Sequence, residues 1–205
     1  MKDRKSNRLE GYDYSEDGCY FVTICVQGRE ELFGEIIGGE MVLSEAGEIA
    51  TARWQWLSER YDYVELDEYV MMPNHFHGIL IIQSRRRDRS RPVRGSRACP
   101  TPPRLHATRR DDVPTSPGRN RRDRSRPVPT DALKIKSLSE LIGAFKTTSS
   151  KRIRENGFAS FKWQRSFYDH VIRDDLDLNR IREYIRDNPL KWALDEYNPA
   201  NHATG

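Results

Sequence analysis

His75 and His77 stand one residue apart in the run Met71-Met72-Pro73-Asn74-His75-Phe76-His77-Gly78. In an extended chain, residues two apart project to the same face, so both imidazoles point one way while Phe76, Leu80 and Ile82 point the other. Two imidazoles at that spacing can chelate one divalent ion and leave coordination positions open for phosphate oxygens. The pair also suits a half-exposed strand whose polar side chains do no chemistry. A second set lies in Asn179-Arg180-Ile181-Arg182-Glu183-Tyr184-Ile185-Arg186-Asp187-Asn188-Pro189. Tyr184 and Asn188 are four apart and stack on one helical face, with Leu178, Ile181 and Ile185 on the apolar stripe. A tyrosine oxygen attacks a phosphodiester only where a cation and basic groups neutralise the phosphate. The Asn188 amide oxygen, one turn on, could complete the shell of such a cation. The plainer alternative is a tyrosine packed on a sheet and an asparagine that ends a helix.

The block Trp163–Arg173 holds two further candidates for the neighbourhood of such a site, Tyr168 and His170. Tyr168 is a rival nucleophile, but it lacks an amide partner one turn away. His170 either lines the site or hydrogen-bonds within a sheet. Lys146, Arg165, Arg173, Arg180, Arg182 and Arg186 are candidate phosphate contacts, and some of them suit a plain solvated face equally well. Trp163 and Phe167 could stack unpaired bases, although core packing suits them better.

These residues need elements to hold them. Cys19–Gln27 reads as a strand, with Tyr20, Val22, Ile24 and Val26 on one face. Residues 32–37 and 40–43 flank Gly38-Gly39, the turn of a tight hairpin. Ser44 caps a helix to about Arg60 that buries Ala46, Ile49, Ala50, Trp54 and Leu57. Residues 63–72 and 75–83 are strands joined at Pro73-Asn74. Leu138, Leu141, Ile142, Phe145 and Ile153 mark a second amphipathic helix, and residues 162–173 a further strand. A last helix starts near Asp174 and stops at Asn188, because a residue before proline is pushed out of the α region. With the hairpin set aside, the order is strand, helix, strand, strand, helix, strand, plus one helix. That predicts an α+β fold, a ferredoxin-like βαββαβ antiparallel sheet with helices packed on it and a following helix that carries Tyr184.

The chain of 205 residues carries a net charge of +4, unevenly spread. Residues 1–83 hold 7 basic and 16 acidic side chains, whereas residues 84–129 hold 15 arginines against 4 aspartates. That middle segment has 8 of the 11 prolines, no aromatic residue, and the octapeptide Arg-Arg-Asp-Arg-Ser-Arg-Pro-Val at both 86–93 and 121–128. Its composition predicts disorder. One domain over 1–205, interrupted by this loop at 84–129, is therefore expected. The loop is either a basic arm on phosphates or a tolerated insertion. No window nears the roughly 18 apolar residues of a membrane span, and no secretory leader is evident, so a cytoplasmic protein without a membrane partner is expected. Three cysteines without a CxxC spacing argue against a zinc ribbon or a disulfide scaffold.

The blocks Tyr20–Ile24, Leu32-Phe33-Gly34 and Met72–Gly78 resemble those of the single-tyrosine HUH transposases. Phe145-Lys146, Trp163–Arg173 and Tyr184–Pro189 resemble those of the REP-associated tyrosine transposases within that superfamily. The resemblance spans nearly the whole chain except 84–129. It implies a nucleoid-associated, prokaryotic-type enzyme that nicks and rejoins single-stranded or hairpin DNA through a 5′-phosphotyrosine and a free 3′-OH. It makes His75 and His77 ligands of Mg²⁺ or Mn²⁺, Asn188 the third ligand and Tyr184 the nucleophile. Relatives outside the subfamily have glutamine where Asn188 stands. The insertion at 84–129 departs from the pattern, since relatives usually have a shorter connection there. A monomer and a homodimer are both open. A non-catalytic, domesticated nucleic-acid-binding protein of the same fold is the alternative.

Overall fold

Gly18–Cys25 (β1) is a run of aromatic and β-branched residues, all of them buried, and it forms the spine of the sheet. The protein is represented by a computed structural model that describes residues 11–83 and 135–202. β1 pairs antiparallel on one side with His75–Ile82 and on the other with Tyr168–Ile172. After a two-stranded hairpin of Gly34–Ile37 (β2) and Glu40–Leu43 (β3), the remaining main strands are Val64–Met71 (β4), His75–Ile82 (β5) and Tyr168–Ile172 (β6). The sheet order is β4-β5-β1-β6, with every pairing antiparallel. The hairpin turns at Gly38 and Gly39 with φ of 62° and 85°, the left-handed pair that a two-residue turn requires.

Glu45–Arg60 (α1) begins where the Ser44 hydroxyl accepts the Gly47 N–H at 3.2 Å. Leu138–Glu155 (α2) begins in a reciprocal box between Ser137 and Glu140. Both helices pack on the sheet face that carries Tyr20, Val22, Ile24, Phe76, Leu80 and Ile82. Trp54 sits there between Phe76 and Phe145, with ring centroids at 4.5 and 5.4 Å. Gly78 follows His77 for a packing reason: a Cβ there would meet Phe76 Cζ at 2.6 Å and Trp54 Cζ2 at 2.9 Å. The architecture is α+β, an antiparallel sheet of four strands with helices packed on it.

Asp175–Asp187 (α3) covers the opposite face. Asp174 caps it, and Leu178, Ile181 and Ile185 pack on Cys19, Phe21, Ile79, Ile81 and Ile172. Each such side chain contributes roughly 2 kcal/mol by leaving water. β4 holds a register shift between Leu66 and Tyr69, so that Asp67 and Glu68 together stand opposite one residue of β5.

Two expectations change. The strand read over 162–173 is interrupted: Trp163 bridges Val26 antiparallel, but the carbonyls of Gln164, Arg165 and Ser166 turn to Lys146 Nζ at 2.9, 3.4 and 3.1 Å, and regular pairing resumes only at Tyr168–Ile172. Beyond Asn188 the chain continues through 3-10 turns at Pro189–Leu194 and Pro199–His202, which helical or strand periodicity does not signal. The insertion at 84–129 lies outside the described residues. No described helix is long and apolar enough to cross a membrane.

Candidate active site

The β1–β5 register sets Thr23 opposite His77 and Cys25 opposite His75, so the histidine pair lies on the α3 face in the middle of the sheet. His75 and His77 are fully buried, and their Nε2 atoms face each other at 3.0 Å. The Asn74 amide nitrogen donates to the carbonyls of Tyr197 (2.7 Å) and Arg29 (3.2 Å), which leaves Asn74 Oδ1 as an acceptor. His75 Nδ1–H therefore donates to it at 2.9 Å, and His75 Nε2 keeps its lone pair. Between the two Nε2 atoms His77 must then supply the proton, and the Thr23 hydroxyl, 2.9 Å from His77 Nδ1, donates to that ring. A hydroxyl can also accept, so a cation in place of the shared proton would only require Thr23 to turn its O–H.

Burial disfavours charge on both rings. It pushes His77 down to about 3 and, with the neighbouring His77, holds His75 well below the ordinary imidazole value. Two neutral nitrogens that converge in this way form a donor set for a divalent cation.

Tyr184, on α3, brings its hydroxyl within 3.3 Å of His77 Nε2. Phe21 fixes the approach: it stacks on His77 at 5.5 Å and meets Tyr184 edge-on at 6.0 Å. Burial raises the Tyr184 pKa, and a side-chain hydrogen bond from Asn188 works against that rise. Asn188 is itself buried, and its Oδ1 has no hydrogen-bond partner. An unmatched amide oxygen one turn from Tyr184 fits a ligand to a cation on the histidines.

Sequence reasoning missed Asp195. Its Oδ2 lies 4.0 Å from His75 Nε2, and its ligand atom with those of His75 and His77 falls within a 4.8 Å cluster. Burial raises the Asp195 carboxyl, and the Tyr197 N–H works the other way. Tyr197 lies over His75 at 4.6 Å, with the Arg29 guanidinium 4.9 Å from its own ring centroid. Asp195 and Tyr197 follow Pro189 in irregular backbone, where no spacing rule predicts a contact. Thr23 and Asn74 were legible only as a strand residue and a turn residue.

The other candidates are scattered. Tyr168 meets Phe21 at 6.4 Å, and Tyr184, not Tyr168, touches the histidine pair. His170 Nε2 bonds Asp177 Oδ2 at 2.7 Å, and Arg180 bonds Asp177 Oδ1 at 2.7 Å. Arg182 is committed to Asp67 through two bonds of 2.7 and 2.6 Å, and Arg186 to Glu68 at 3.0 Å. Any phosphate there would compete with those carboxylates. Lys146 is spent on the carbonyls after Trp163, and burial lowers its pKa to about 8. Arg165 lines a cleft of about 350 Å³ with Lys162 and Arg154, while Arg173 is exposed beyond β6. Trp163 belongs to the core, its indole N–H donating to the Ser149 hydroxyl at 2.9 Å.

Comparison with known proteins bears on this geometry. No family model matches the chain. A Haemophilus influenzae relative, described as an uncharacterized protein, is 33% identical over 193 residues, covering 94% of this chain and 92% of that one. A second protein of that organism, named "Putative REP-associated tyrosine transposase", is 44% identical over 46 residues, 22% of this chain and 24% of that one. The solved structure of a REP-associated tyrosine transposase bound to a REP hairpin superposes with a TM-score of 0.50 at 15% identity. It covers 92% of this chain and 74% of that chain. At that identity the likeness is one of fold.

Proposed function

Because the chain belongs to one family with its nearly full-length Haemophilus influenzae relative, and has the fold of a REP-associated tyrosine transposase, we propose that it is a metal-dependent strand transferase acting on single-stranded hairpin DNA. The observation that carries this reading is the Tyr184 hydroxyl 3.3 Å from Nε2 of His77, one of two buried imidazoles whose Nε2 atoms converge.

His75 and His77 would hold the cation, with Asn188 Oδ1 or Asp195 completing the set. A divalent ion there supplies charge neutralisation to the phosphate and favours the deprotonated phenol. Mg²⁺ or Mn²⁺ is the cation the family resemblance implies; the oxygen donors suit both, and Mn²⁺ takes nitrogen donors more readily than Mg²⁺. Tyr184 needs that help, since burial alone holds its proton on. Its oxygen forms a bond to the phosphorus, the bond from phosphorus to the 3′ oxygen breaks, and the phenolic proton ends on the departing 3′-OH. The downstream fragment stays on Tyr184 through its 5′ phosphate. No phosphodiester is lost to water, so a 3′-OH can later reverse the step without a nucleotide cofactor. Asn188 steadies the phenol from one turn away, and Phe21 keeps ring and imidazole in register.

The test is incubation of labelled single-stranded hairpin DNA with the protein and Mn²⁺ or Mg²⁺, followed by a denaturing gel. Wild type should give the downstream fragment linked to protein through its 5′ phosphate, and Tyr184→Phe should give none. Equal product from the phenylalanine variant would move the nucleophile elsewhere. Tight hairpin binding with no adduct under either metal would favour a non-catalytic DNA-binding protein.

A further inference from the structure

Arg182 and Arg186 tie α3 to β4 on one flank. On its other flank, towards the edge strand β6, the helix leaves a cleft of about 410 Å³ lined by Phe21, Tyr168, His170, Arg180, Ile181 and Tyr184. That volume lies within the range of small-ligand sites. Tyr168 and His170 pair with Thr23 and Phe21 of β1, so they share the sheet face of His77. The walls are aromatic: Phe21 meets Tyr168 and Tyr184 edge-on, at 69° and 86°. Tyr168 and Tyr184 are 48% and 43% exposed, unusual for rings of that size.

The rim is polar and organised. Asp177 accepts from both His170 Nε2 and Arg180, each at 2.7 Å. In the neutral ring this keeps the proton on Nε2 and leaves Nδ1 as an acceptor, while Arg180 retains spare guanidinium donors. The His170–Asp177–Arg180 chain supports no core cluster, since Arg180 is 75% exposed and His170 38%. A cleft walled by aromatic rings and edged by one acceptor and several donors matches the face and the hydrogen-bonding edge of a nucleobase.

We propose that this cleft is a base-binding subsite. It seats the unpaired DNA base of a nucleotide next to the phosphate attacked by Tyr184, with the base plane on Tyr168 and its edge at His170 and Arg180. The proposal rests on the reading of Tyr184 as acting on a DNA phosphate. It adds that strand register is set here, because the scissile phosphate reaches the phenol only when the neighbouring base is seated. Tyr168 is then a substrate-binding residue rather than a second nucleophile.

The test uses the full chain and a short single strand of deoxythymidines carrying 5-iodouracil. Irradiation should crosslink the strand to the peptide that contains Tyr168. Tyr168→Ala should weaken binding of the strand roughly tenfold, and Tyr168→Phe should restore it, since stacking needs the ring and not the hydroxyl. Crosslinks confined to other segments, or unchanged affinity in Tyr168→Ala, would overturn the subsite. The two readings fail separately. A crosslink at Tyr168 from a protein that never forms phosphotyrosine would sink strand transfer and keep the subsite. Phosphotyrosine formed with no loss of affinity in Tyr168→Ala would do the reverse.

Discussion

At the scale of single residues, the histidine pair is defined by what surrounds it. Each ring has its Nδ1 engaged, by Asn74 or Thr23, and its Nε2 turned inward. Burial holds both pKa values below the ordinary ~6.5 of imidazole, to about 3 for His77. Protons therefore do not compete with a cation in the range where an exposed pair would lose it. Mn²⁺ affinity measured by calorimetry should stay level from about pH 7.5 to about pH 6, and a steep fall across that window would contradict the burial account. The sign for stability is opposite to that of a salt-bridged histidine. The folded state declines protons that the unfolded chain accepts below ~6.5, so stability is full above that value and declines as pH falls. The nearness of His75, His77 and Tyr184 was legible in the sequence because each sits in a regular element, where spacing fixes direction, and Asn188 because it caps the helix one turn beyond Tyr184. Asp195 and Tyr197 were not, because the turns after Pro189 follow no period and reach His75 only through tertiary folding.

At the scale of elements, α3 is aimed by its charges as well as by its apolar stripe. The register shift in β4 lets consecutive acids, Asp67 and Glu68, serve the helix together, where a regular strand would turn one of them away. Burial tends to raise the Asp67 carboxyl, but the Arg182 hydrogen bonds and the charges of Arg182 and Arg186 outweigh it and hold the group below its usual range. The clamp is thus intact above about pH 4 and weakens as pH falls through the carboxylate range. Arg182 and Asp67 are 15% and 18% exposed, between a surface pair and a buried one. Arg182→Ala should cost about 2 kcal/mol in chemical denaturation, and a double-mutant cycle with Asp67→Ala should show coupling. Additive losses would mean the pair does not seat the helix. Sequence reading offered Arg182 and Arg186 as phosphate contacts. A bulge is invisible to an alternation rule, so their carboxylate partners across the sheet could not be foreseen.

At the scale of the whole molecule, both halves of the site come from one chain: histidines from the sheet and phenol from the helix docked on that same sheet. Mixing Tyr184→Phe with His77→Ala protein should therefore restore no DNA adduct, and recovery towards about a quarter of wild type would show that tyrosine helices are exchanged between copies of a dimer. The alternation of strands and helices, and the Ser44 cap, made the sheet and its helical layer readable in advance. The strand predicted to begin at Lys162 does pair there, through Trp163 and Val26, but it is broken before Tyr168, where Lys146 draws three carbonyls to its ammonium. All four sheet strands precede α3 along the chain. During synthesis the histidines can thus be in place while Tyr184 is still inside the ribosome, and under the proposed strand transfer a nascent copy would be inert until α3 has emerged and docked.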